Sequence, residues 1–121
     1  MPKFPLLAAA AALLVAAPAS AAMTVSTFLT KANALKAQGP MALMSPDFAL
    51  LRTETQTATA QLKADRDARK AKGLKPIACI PEGQSIGIME MLDGLNALSP
   101  AEQRLQLKDG YARVLAKRFP C

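Results

Sequence analysis

The chain has 121 residues, with 15 Lys+Arg against 9 Asp+Glu, two Cys, and neither His nor Trp. Without histidine there is no Ser–His or Cys–His nucleophile pair, no imidazole-ligated zinc and no side-chain switch near neutral pH. Two cysteines are too few for a four-thiolate zinc site, and the length suits one domain.

Residues 1–21 read as a targeting segment. Lys3 supplies a positive start, residues 6–17 are an unbroken apolar run, Pro18 breaks it, and Ala19-Ser20-Ala21 is a small-x-small cleavage signal. The run is shorter than the roughly 20 apolar residues of a membrane span. No cysteine follows the cut, so no lipoprotein anchor is indicated. The expectation is a precursor cut after Ala21 and a periplasmic or secreted product of 100 residues, folded as a single helical domain over 22–121.

That remainder reads as all-α, a domain of four to five helices with one disulfide. Val and Ile together number only six in it, while Ala, Leu, Lys, Gln, Arg and Met dominate, which favours helix over strand. A first helix opens at Thr24 or Ser26, both good N-caps. Val25, Phe28, Leu29, Ala32 and Leu35 form its apolar stripe, and Gly39-Pro40 ends it. Residues 41–44 form a short turn. Ser45-Pro46-Asp47 then supplies a cap, a proline at the first helical position and a first-turn acid. Phe48, Leu51, Thr55, Ala58 and Leu62 keep one face of this second helix.

After Leu62 the stripe stops. Residues 63–72 read KADRDARKAK before Gly73 closes the element. A helix that is polar all round is not held by a core, so this end is expected to project into solvent or to meet a partner. Its cations, Lys63, Arg66, Arg69, Lys70 and Lys72, are the candidate partner-binding residues. Lys63–Asp67 and Asp65–Arg69 stand at pairing distance on a helix. The two readings are a solubilising helix end and a steering surface for an acidic protein. Nucleic-acid binding lacks aromatic or motif support, and membrane-surface binding lacks an apolar opposite face.

Pro81 and Gly83 mark a turn, with Ser85 as the expected cap of a third helix buried through Ile86, Met89, Leu92 and Leu95. Ser99-Pro100-Ala101-Glu102 is a capping box with proline at the first position. The helix it opens continues through Leu107, Tyr111, Val114 and Leu115 and stops at Pro120. Tyr111 is expected to face the core with its hydroxyl at the surface. Two cysteines in an exported chain have one intramolecular pairing, Cys79 with Cys121. It closes a loop of about 43 residues, worth roughly 4 kcal/mol in the chain-entropy model.

The carboxylates offer one possible acid–base or metal pair, Glu90 and Asp93 at i, i+3, and a solvated face is the simpler account of them. Asp47 and Glu102 are explained as first-turn acids. No Gly-rich phosphate loop follows a strand. The chain reads as a binding protein and not an enzyme, with no metal and no cofactor. Met41, Met44, Met89 and Met91 are adaptable apolar groups suited either to filling a core or to meeting varied clients.

The sequence CIPEGQSIG, then Pro100, then ARVLAKRFPC resembles one known family. It is similar to the C-terminal half of the Tai-type immunity proteins of type VI secretion, which protect against peptidoglycan amidase effectors. The matching positions are Cys79, Ile80, Pro81 and Gly83, then Pro100, then Phe119, Pro120 and Cys121. The resemblance spans about 43 of the 100 residues after the cut. It implies a compact helical domain, a periplasmic address, a toxin as protein partner and a homodimer. The family's N-terminal half often has a second cysteine pair near a Gly-Tyr turn, whereas residues 22–78 contain neither Cys nor Tyr. The alternative is an acid-stress chaperone of the HdeA type, a likeness of size, helices and disulfide alone.

Overall fold

The computed structural model describes residues 22–121, so the expected targeting segment and its cleavage site lie outside the described residues. Those residues form four α-helices: α1 (Val25–Gln38), α2 (Pro46–Ala71), α3 (Ile88–Asn96) and α4 (Leu107–Arg118). A 3-10 segment, Gly39–Met44, links α1 to α2, and a three-residue 3-10 turn, Glu102–Arg104, precedes α4. The all-helical architecture with one cross-link is therefore as the composition predicts.

Of the two possible caps, Thr24 starts α1. Its side chain accepts from the Thr27 amide at 3.2 Å. At the far end Gly39 adopts φ +62°, a left-handed turn that favours glycine, and Pro40 follows. Ser45 caps α2 through the Asp47 amide, and Pro46 occupies the first turn where a missing N–H costs nothing.

Two expectations fail in the second half. Ser85 is not a cap: Gln84 donates to the Pro81 carbonyl to close the turn at Gly83 (φ +77°). The chain then runs non-helical until Gly87, whose carbonyl accepts the first α3 bond from the Met91 amide at 2.9 Å. The buried stripe shifts with that start. Met91, Leu92 and Leu95 are buried, Ile86 is half-buried, and Met89 is 52% exposed.

The capping box is real but short. The Ser99 amide donates to Glu102 Oε1 and the Glu102 amide to Ser99 Oγ, both at 3.2 Å. It opens only the 3-10 turn, because Leu105 and Gln106 leave helical geometry to pair with the start of α1. Val25 donates to the Leu105 carbonyl at 2.9 Å and Leu107 to the Met23 carbonyl at 2.8 Å, an antiparallel bridge between Thr24 and Gln106. These two bonds satisfy amides at the starts of α1 and α4 that the helices themselves leave unpaired.

The Ser99 contacts hold the Glu102 carboxyl below its ordinary value of 4.5. A lowered folded-state value means the contribution is present above the unfolded pKa and is lost as pH falls through the folded one. The stability difference between the parent chain and Glu102→Gln should therefore shrink as pH drops from about 6 to about 3. Urea midpoints for both chains at each pH measure it; a constant difference contradicts the assignment.

The core gathers Val25, Phe28 and Leu29 of α1, Leu51 and Ala58 of α2, Met91, Leu92 and Leu95 of α3, and Leu107, Tyr111 and Val114 of α4. Val25 and Leu95 are fully buried. The Phe28 and Tyr111 rings meet edge to face at 6.4 Å between centroids, a favoured aromatic geometry. The Tyr111 ring is buried as expected, and its hydroxyl pairs with Thr55 Oγ1 at 3.3 Å in a part-buried position. Burial raises the phenol's pKa, and the Thr55 hydrogen bond opposes that rise in part.

Cys79 and Cys121 form the disulfide, with Cα atoms 5.0 Å apart. Beside it the Cys79 amide donates to the Phe119 carbonyl at 2.9 Å. The Phe119 side chain is buried, and the Arg118 guanidinium sits 4.9 Å from its ring centroid.

Candidate functional site

α2 and α3 both pack on α4 and on α1 but scarcely on each other. An open groove of about 960 Å³ lies between them, a volume within the range of ligand-binding clefts. Tyr111, Ala112 and Leu115 of α4 reach its base, and Phe28, Ala32 and Leu35 of α1 reach it from one end. Ile77 and Ile80 line it from the loop after α2, Ile86 from the approach to α3, and Ile88 and Met89 from the first turn of α3. Ile88 is 86% exposed, and Phe48, Ile77 and Ile80 are partly exposed, at 37–49%. Exposed apolar surface of this kind is found at interaction sites, at ligand-binding grooves and at aggregation-prone patches.

α2 contributes two adjacent rows along the groove. Leu51, Thr55, Leu62, Asp65 and Arg69 form the inner row; Arg52, Gln56, Thr59, Lys63 and Arg66 form the outer one. The spacings are those of one helix face. From Phe48 to Arg69 the wall is about 30 Å long at 1.5 Å per residue.

Of the five cations predicted for partner binding, Lys63, Arg66 and Arg69 line the groove, whereas Lys70 and Lys72 do not. The polar end of α2 does not simply project. Asp65 binds Lys108 of α4 at 2.9 Å, and Arg69 Nε donates to the Lys75 carbonyl at 2.9 Å. That carboxylate holds the Lys108 ammonium above its ordinary value. The expected pairings Lys63–Asp67 and Asp65–Arg69 give way to Asp65–Lys108 and a loose Arg66–Asp67 contact at 4.0 Å. A partner across the helix pair wins over one on the same helix because α4 lies directly beside this face.

Ile80 lines the groove, Pro81 and Gly83 make the turn beyond it, Pro100 stands in the turn before Glu102–Arg104, and Phe119 is buried with Pro120 exposed after it. Glu90, half of the possible carboxylate pair, is engaged by Arg118 Nε at 2.6 Å. Among the described residues, no group of three or more His, Cys, Asp or Glu stands together as a metal cage. No described helix is long and apolar enough to cross a membrane. Of the four methionines named as adaptable, Met91 alone is buried, and Met41, Met44 and Met89 are exposed.

Sequence reasoning overlooked Arg52, Ile77 and Ile88. Arg52 stands at i−11 and i−14 from Lys63 and Arg66, a spacing visible in the sequence, and Ile77 and Ile88 lie outside any helical stripe.

Compared with family models, curated proteins and solved structures, the chain matches none. The likeness to the Tai-type proteins therefore rests on the quoted residues.

Proposed function

We propose that this chain is an exported binding protein that acts by occlusion, an immunity-type inhibitor of a toxin such as a peptidoglycan amidase. The observation that carries this reading is the open groove between α2 and α3, apolar at its base and lined by cations on one side. Wetting such a surface is unfavourable, and covering it lowers the free energy. In an inhibitor of this kind the reacting groups belong to the partner, and this chain contributes shape and charge.

The test is capture with the oxidised mature protein from periplasmic extract of co-cultured competitors, at neutral and at acidic pH. The expected result is one stoichiometric partner at neutral pH that hydrolyses cell wall when the inhibitor is removed. Many substoichiometric clients held only in acid would replace this reading with the holdase.

A further inference from the structure

We infer that the occupant of the groove is an amphipathic helix of the partner protein, apolar on one side and acidic along its flank. This rests on the inhibitor reading above and specifies what is recognised. Three observations carry it: length, charge distribution and the missing neighbour on α2.

The missing neighbour comes first. α2 has 26 residues, and α3, the helix across the groove from it, has nine. No helix occupies residues 72–87, so although α4 flanks the second half of α2 through Asp65–Lys108, what α2 faces across the groove there is a loop bearing Ile77 and Ile80. An incoming helix laid between α2 and α3, above Leu115 of α4, supplies the packing that the fold itself omits. Docking an amphipathic helix into a groove with anchors at i, i+3, i+4 and i+7 is an established mode of recognition.

Charge decides what flanks that helix. Along the outer row of α2, Arg52, Lys63 and Arg66 are spread over about 21 Å. Arg52 and Lys63 have no ion-pair partner among the described residues, and Arg66 has only the 4.0 Å contact to Asp67. The sole carboxylate lining the groove, Asp65, is already neutralised by Lys108. The lip is thus a row of available cations, complementary to a row of carboxylates.

The same spread separates a helix from a lipid. A fatty acid or a phospholipid places its charge at one end of the acyl chain, and a clustered cation set would serve it. Cations spread over about 21 Å of a wall about 30 Å long match a rod that carries charge along its length.

The experiment uses the full mature chain, oxidised, and two synthetic helices of about 18 residues, long enough to span most of the groove. Both have the same leucine face; one carries Glu and the other Lys on its flanks. Because the protein has no Trp, a single Trp in each peptide reports binding by its fluorescence. The Glu peptide is expected to bind about tenfold or more tightly than the Lys peptide. The triple variant Arg52→Glu/Lys63→Glu/Arg66→Glu should reverse that order. The triple variant Lys70→Glu/Lys72→Glu/Lys75→Glu changes net charge equally but lies off the groove, and it should keep the parent order. Ile88→Glu should weaken both peptides while the fold persists, since this open position accepts an acid in the first turn of α3.

Three results overturn the proposal: equal effects of the two triple variants, no binding of either peptide, or displacement of the Glu peptide by oleate or phosphatidylglycerol vesicles. The last would make the groove a lipid site. A stoichiometric partner that still co-purifies while both peptides fail removes the helix and leaves the inhibitor reading standing; the converse removes the inhibitor reading alone.

Discussion

Cys79→Ser is expected to lower stability by about 2–5 kcal/mol, read as a fall in the urea midpoint relative to the oxidised parent. The cross-link constrains the unfolded chain across 42 positions of sequence, a long loop for a small domain. Its loss has a second, local effect. Residues 72–87 contain no helix, and their tie to α4 runs through the disulfide and the Cys79–Phe119 backbone bond. Ile77 and Ile80, which line the groove, ride on that segment. Binding to the groove should therefore weaken in Cys79→Ser even under conditions where the protein is still folded. Adding reductant to the parent should reproduce both effects, and coincident midpoints for oxidised and reduced protein would contradict the account.

Gly110→Ala is the second large effect, and its sign runs against helix propensity. In the middle of a helix, replacing Gly with Ala normally gains up to about 1 kcal/mol. Here a Cβ on Gly110 collides with Cγ2 of Val25. Val25 has nowhere to go: it is fully buried, it is β-branched, and its amide is held by the Leu105 carbonyl. The bridge between Thr24 and Gln106 fixes the start of α1 against the start of α4. Overpacking at such a point typically costs about 1–3 kcal/mol, so a net loss of about 2 kcal/mol is expected. The double variant Gly110→Ala/Val25→Ala tests the cause. Removing the valine methyls should make the Gly110 substitution nearly neutral or favourable when measured against Val25→Ala alone, a coupling that urea unfolding of the four chains reads directly.

The sequence carries the helices well where local chemistry and core packing agree. Ser45-Pro46-Asp47 starts α2, Gly39 ends α1, and Leu95 and Val114 are buried as their spacing predicts. It misleads where a local signal competes with a distant one. The Ser99–Glu102 box forms with its predicted bonds, yet the helix beyond it waits until Leu107, because pairing with Met23 and Val25 takes residues 105 and 106 out of helical geometry. Nothing local in residues 99–107 encodes that partner. A glycine inside a helix carries a propensity cost, and only the structure gives Gly94 and Gly110 a purpose: the Val114 and Val25 side chains occupy the space a Cβ would need.

The candidate site was half legible. Lys63, Arg66 and Arg69 stand out as cations past the end of an apolar stripe, and they line the groove. Lys70 and Lys72 belong to the same run of sequence but turn away from it, since a helix presents each residue to one side only. The apolar half of the groove is not a stripe on any one helix. It joins the predicted faces of α1 and α2, with Leu35, Leu51 and Leu62 among them, to a loop, the start of α3 and the side of α4, elements brought together by tertiary structure alone.

The most direct measurement is the capture of the proposed toxin partner by three oxidised proteins side by side: the parent, Ile88→Glu in the groove wall and Lys72→Glu beyond it. The account predicts that Lys72→Glu retains the partner at the parental level and that Ile88→Glu loses it, with both variants unfolding at the parental urea midpoint. Full capture by Ile88→Glu, or loss in Lys72→Glu alone, would contradict it and place recognition elsewhere on the chain.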